Sequence, residues 1–195
     1  MSDRIDSLEG ASSVLVLSPT GGDDGDTCID LLSPSDPAST NLLFVSFTGR
    51  PQDRLGRWIA RAGGRPASSH LVASRDVAER LDPDGPRPDD VDHVGSPNDL
   101  TGLSIRVSEV LNEWDGSEAR SAVCFDSVTA LLQYVDVRTA YEFLHVLTGR
   151  LYAFGATGHF HLDPDAHDAT TVAQMQTLFD AVVTVNGGGV TVRRQ

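Results

Sequence analysis

Apolar residues along this chain fall into two kinds of pattern. Short, largely apolar runs occur at Val14–Leu17, Asn41–Thr48, Ala122–Phe125, Leu151–Ala156 and Ala181–Val185, and the more polar Ser69–Ala73 and Val91–Val94 read as further short strands. Largely apolar runs of this length read as strands covered on both faces. Between them, apolar residues recur at helical spacing. After Pro51, which suits a first helical turn, come Leu55, Trp58, Ile59 and Ala62, closed by Gly63-Gly64. Ser96-Pro97-Asn98-Asp99 reads as a helix start with Ser96 as cap, Pro97 at N1 and Asp99 at N3, followed by Leu103, Val107, Val110, Leu111 and Trp114. Further helical patterns cover Cys28–Leu32, Arg138–Gly149 and Asp165–Phe179, and Ser127–Tyr134 reads as a helix or turn. Val190–Val192, set behind Asn186-Gly-Gly-Gly189, completes a terminal hairpin with Ala181–Val185. Strands alternating with helices predict an α/β fold, a mostly parallel central sheet covered on both faces and ending in a C-terminal β-hairpin. Residues 1–12 read as a polar lead-in, 13–195 as one domain, and 81–91 (LDPDGPRPDDV) as an acidic, proline-rich surface loop.

Composition narrows the setting. The chain has 195 residues and a net charge of −13. Its acids are mostly Asp, its basic residues are all Arg, and lysine is absent. Such a surface suits concentrated salt, where the Debye length shrinks to about 3 Å at 1 M and like charges stop repelling. A broad basic face for nucleic acid is missing, so no direct nucleic-acid contact is expected. No apolar run approaches the ~20 residues of a membrane-spanning helix, and the first residues lack a signal-peptide core, which places the expected location in the cytoplasm. Cys28 and Cys124 show no metal-finger spacing, and Cys124, inside a buried strand, reads as a small core residue.

Three stretches carry candidate chemistry. In Ser121–Asp136 a buried strand delivers Asp126 to its C-terminal end, where open α/β sheets bind ligands. Thr20–Thr27, between a strand and a helix, overlies the phosphate-loop pattern G-x-x-x-x-G-K-[ST]. Gly25 and Thr27 match, Thr20 replaces the first glycine, and Asp26 replaces the lysine. A unit-charge pair at ~4 Å and an effective dielectric near 20 is worth about 4 kcal/mol, so reversing its sign costs on the order of 8 kcal/mol per phosphate charge before screening. The third stretch, His159–Asp168, is the densest group of potential metal ligands, with His159, His161 and His167 as candidates. His159 and His161 point the same way if a strand continues through them. The alternative is a strand end followed by an acidic helix start, capped by Asp163 or Asp165.

With these residues placed, the chain resembles the KaiC/RecA superfamily of P-loop ATPases, and within it a haloarchaeal RecA-like group without assigned function. The resemblance rests on Ser96–Leu103, Cys124–Tyr134, His159–His167 and Phe179–Val182, and spans about Val14 to Val185. It implies a RecA-like P-loop NTPase fold with Asp126 in the place of the Walker B aspartate and Thr27 in that of the P-loop hydroxyl ligand. It also implies self-association. Two catalytic parts depart from the pattern. Asp26 stands where the lysine belongs, and Thr48 and Gly49 occupy the place of the glutamates that activate water in KaiC-like enzymes. Phosphoryl transfer depends on positioning and charge stabilisation, so both losses point to a degenerate, non-catalytic domain. The expectation is a regulatory or protein-interaction module with a protein partner and no required cofactor. Its alternatives are a divergent ATP/Mg²⁺-binding protein or slow ATPase, and a metal-dependent enzyme built on His159–His167.

Overall fold

The computed structural model describes residue 8 and residues 10–19, 25–32, 36–47, 51–186 and 189–195, with Gly25 and Asp26 as backbone only. Thr20, Thr48 and Gly49, and much of the 1–12 lead, lie outside the described residues.

Among the described residues eight strands form one sheet: β1 (Ser13–Leu17), β2 (Thr40–Ser46), β3 (Ser68–Ser74), β4 (Asp90–Val94), β5 (Arg120–Asp126), β6 (Thr157–Leu162), β7 (Ala181–Asn186) and β8 (Gly189–Arg194). Their spatial order is β4-β3-β2-β5-β6-β1-β7-β8. All neighbours pair in parallel except β7 and β8, which form the expected antiparallel hairpin with Ala181 opposite Arg194 and Asn186 opposite Gly189. Helices α1 (Gly25–Leu32), α2 (Pro51–Ala62), α3 (Arg75–Ala78), α4 (Leu100–Trp114), α5 (Val128–Leu131), α6 (Val137–Ala153) and α7 (Ala169–Gln176) connect the strands.

The period of two along each strand sorts side chains onto two faces. One face carries Leu15, Leu43, Val45, Val72, Val123, Phe125, Phe160 and Leu162, and packs under α4, α6 and α7. Phe160 stacks on Phe125 at 5.4 Å between ring centroids and tilts against Phe179 at 5.0 Å. The opposite face is divided. Leu42, Phe44, Leu71, Ala73, Ala122 and Cys124 pack against α1 and α2, through Cys28, Ile29, Leu32, Leu55 and Trp58. Val14, Val16, Ala181 and Val183 form a separate apolar group with Leu8 and Val190. Strand β6 runs between these two groups, since it pairs with β5 on one side and β1 on the other.

Two expected boundaries moved. Leu151–Ala156 is not a strand. Leu151–Ala153 completes α6, and Gly155, at φ 63°, ends the helical stretch in a conformation that glycine adopts without steric cost. Leu151 and Leu147 face the core at helical spacing, and the strand begins at Thr157. The acidic helix start also shifts. Asp163 caps a short 3₁₀ turn, Pro164–Ala166, and Asp168 caps α7 by accepting from the Thr170 and Thr171 N–H groups. At Ser96–Asp99 the cap is Asp99, which accepts from the Gly102 N–H at 2.9 Å, because Ser96–Asp99 closes its own turn first. The proline-rich 81–91 stretch is tied down: the Gln52 side chain donates to the Asp82 carbonyl and accepts from the Asp82 N–H, and Asp89 accepts from the Ser69 N–H and hydroxyl.

Phe160 supports β6 from beneath, so Phe160→Ala is expected to cost about 3–5 kcal/mol through lost burial and the cavity left behind. Tyr152→Ala, at a side chain 76% exposed, should stay within about 0.5 kcal/mol. Urea unfolding of the two variants checks both values.

Candidate metal centre

Register builds the centre. In the β5–β6 ladder Cys124 stands opposite His159, and His161 follows two residues along β6 on the same face. The strand does continue through both histidines, so they point the same way, with ring centroids 5.0 Å apart. The neighbouring β6 residues, Phe160 and Leu162, face the other side. Cys28 comes from α1, in the turn lying over β5.

The four side chains meet in the seam between the two apolar groups of that face. Their ligand atoms, Cys28 Sγ, Cys124 Sγ and one ring nitrogen from each histidine, all lie within 4.8 Å of one another, and all four residues are buried. The separations are 3.8 Å for Cys28 Sγ to Cys124 Sγ, 3.6 Å for Cys124 Sγ to His161 Nε2, and 3.1 Å for Cys28 Sγ to His159 Nε2. A tetrahedron with metal–sulfur bonds of ~2.3 Å and metal–nitrogen bonds of ~2.05 Å has edges of about 3.8 Å between sulfurs and about 3.5 Å between sulfur and nitrogen. Two observed edges match these values, and the third is a direct hydrogen-bond contact.

Electrostatics follow from burial and proximity. The Cys28 thiol is held well below the ordinary thiol range, chiefly by its hydrogen bond with Cys124 and further by His159 and His161, against the opposing effect of burial. Cys124 moves the other way, pushed well up by sharing that hydrogen bond, by burial and by the charge on Cys28. His159 is lowered, mainly because burial penalises an imidazolium. Soft sulfur and neutral imidazole together are the donor set of zinc and similar ions, not of magnesium or calcium.

The residues expected from the sequence separate into groups. His159 and His161 come together, while His167 stays outside the cluster, at the end of the 3₁₀ turn Pro164–Ala166. Cys124 is a buried core residue, as expected, and is also a member of the cluster. Cys28 is the member that spacing could not reveal: it lies 96 residues from Cys124 and 131 from His159. Asp126 does stand at the C-terminal end of β5, where its carboxylate meets Arg54 Nη2 at 3.1 Å, and Ser127 caps α5 by accepting from the Ala130 N–H. Thr27 is buried on α1; Gly25 and Asp26 open that helix.

In chelator-treated protein the lowered His159 sets a sign for pH dependence. The unfolded chain takes up a proton on this residue near its ordinary value of 6.5, whereas the folded chain does so only at lower pH. The unfolded state then binds more protons at this site, so the stability contributed by His159 is present in full above about pH 6.5 and falls as the solution is acidified through that range. The perturbed carboxylates Asp76, Asp89, Asp136, Asp168 and Asp180 are all shifted down from 3.8, so the stability they contribute is present above that value and is lost only at more acid pH. Urea midpoints measured from pH 7.5 to 5 should fall with acidification, and His159→Gln should flatten the slope.

Comparison with known proteins adds the fold and the family. No curated protein matches the sequence. A solved structure from Pyrococcus horikoshii OT3, studied as Project ID PH0250, is similar with a TM-score of 0.57 at 8% identity, covering 97% of this chain and 91% of that one. At that identity the likeness concerns the fold alone. The model of a family of unknown function, DUF7504, matches residues 11–185. The chain carrying this buried Cys₂His₂ cluster therefore belongs to the DUF7504 family.

Proposed function

We propose that this chain is a non-catalytic RecA-like module whose Cys28–Cys124–His159–His161 cluster holds one divalent metal ion, zinc by its chemistry. The observation that carries the reading is the convergence of four buried ligand atoms from α1, β5 and β6 within 4.8 Å. Catalytic zinc sites keep one position open for water or substrate, while structural sites are closed by four protein ligands. A site closed by four buried side chains belongs to the second kind. It favours a structural or regulatory ion over a metal-dependent enzyme built on His159–His167.

The RecA-like part of the reading is supported by the order strand, Gly-containing loop and helix at β1–α1, and by Asp126 at the C-terminal end of β5. Non-catalysis is supported by Asp26 in the lysine position and by Thr48 and Gly49 in place of glutamates. It is also supported by the ion pair that engages Asp126 with Arg54. The Asp-rich, lysine-free composition fits a haloarchaeal cytoplasm. The role is regulation through contact with a protein partner or further copies of the chain, with the metal pinning α1 to the sheet.

The test is cobalt loading of the reduced, chelator-treated chain in multimolar KCl. One Co²⁺ per chain is expected, with the intense ligand-field bands of a tetrahedral site and thiolate-to-cobalt charge transfer. Cys124→Ser should weaken the charge-transfer band, and Zn²⁺ should displace the cobalt and raise the unfolding temperature. Weak, non-stoichiometric uptake with an octahedral spectrum would overturn the reading.

A further inference from the structure

Arg54 lies in the first turns of α2, the helix that follows β2 in the chain. Its guanidinium forks. Nη1 donates to Cys28 Sγ at 3.0 Å, and Nη2 donates to Asp126 Oδ2 at 3.1 Å. Both partners of the ion pair are largely shielded, with side chains 16% and 20% exposed. One planar group thus connects a sulfur of the cluster to the carboxylate two residues beyond Cys124 on β5.

We propose that Arg54 and Asp126 form the outer shell of the metal cluster, with Arg54 as the positioning residue that fixes the Cys28 sulfur and Asp126 as its anchor. This inference rests on the metal reading above. Three of the four ligands, Cys124, His159 and His161, are placed by the register of β5 with β6. Cys28 is the one ligand carried by a helix, so its sulfur needs a separate restraint. The guanidinium supplies it through a rigid fork with two parallel donors, a geometry that a lysine ammonium cannot reproduce. Charge also balances. A divalent ion, two thiolates and two neutral imidazoles sum to zero, and the Arg54–Asp126 pair adds zero. A buried guanidinium beside a neutral centre would be costly without its carboxylate. The position that the RecA resemblance assigns to a magnesium-binding carboxylate thus serves the cluster instead.

Outer-shell partners of metal ligands commonly change affinity by about 10–100-fold when removed. Arg54→Met is therefore expected to weaken Co²⁺ binding by about that factor in a chelator competition, with one ion per chain retained. The charge-transfer band gives a readout that a purely structural role would not move. An N–H donor stabilises the sulfur lone pairs, so its loss should shift the band to lower energy. Arg54→Lys should restore part of the affinity and little of the band position. Asp126→Asn should weaken binding in the same direction by a smaller factor, since the guanidinium stays in reach but loses its anchor. If Arg54→Met fails to fold by circular dichroism, the Arg54→Lys and Asp126→Asn variants carry the same test. Affinity within twofold of the unaltered chain and an unmoved band in the folded variants would overturn the proposal. An unaltered chain that takes up no cobalt overturns the metal reading, and this inference with it.

Discussion

The parallel pairing of β5 with β6, with Cys124 opposite His159, is the constraint on which the centre depends. A slip of one residue would turn both β6 histidines into the aromatic core beneath and bring Phe160 into the seam. The alternative is blocked from the other side, where Phe125, Phe160 and Phe179 interlock. The apolar face therefore specifies the polar one. Packing energy set by the phenylalanines holds two imidazoles and a thiol in a fixed row, and α1 then needs to bring only Cys28 over it.

The second constraint is the cost of burying polar groups. Two imidazoles and two thiols in the middle of a covered sheet face are expensive unless each finds a partner. Here they partner one another, and Arg54 adds a charged donor from the side. Larger apolar residues would fill the seam more cheaply and join the two hydrophobic groups that it now separates. The chain keeps a polar seam there, and a bound soft cation would satisfy all four groups at once. The same economy explains Asp126, whose carboxylate at the C-terminal end of β5 is paired with the Arg54 guanidinium.

Much of the fold was legible in the sequence because covered parallel strands and amphipathic helices have distinct periods. The terminal hairpin around Asn186 and the helix from Pro51 to Ala62 are clear examples. Boundaries were less so. The run Leu151–Ala156 is apolar in either conformation, and only tertiary packing of Leu147 and Leu151 decides for helix. Of the centre, the two histidines were readable from their alternation, provided that the strand ran through them. Cys28 was not. No local spacing links a cysteine on the first helix to a strand 96 residues away. The inclusion of His167 followed from proximity in sequence, whereas the chain turns away through Pro164–Ala166 before reaching it.

X-ray absorption at the zinc edge of the purified, reduced chain tests the central claim most directly. A closed Cys₂His₂ site predicts one zinc per chain, with two sulfur scatterers at ~2.3 Å and two nitrogen scatterers at ~2.0–2.1 Å. A shell made only of oxygen and nitrogen, or zinc far below one per chain after loading and desalting, would contradict it.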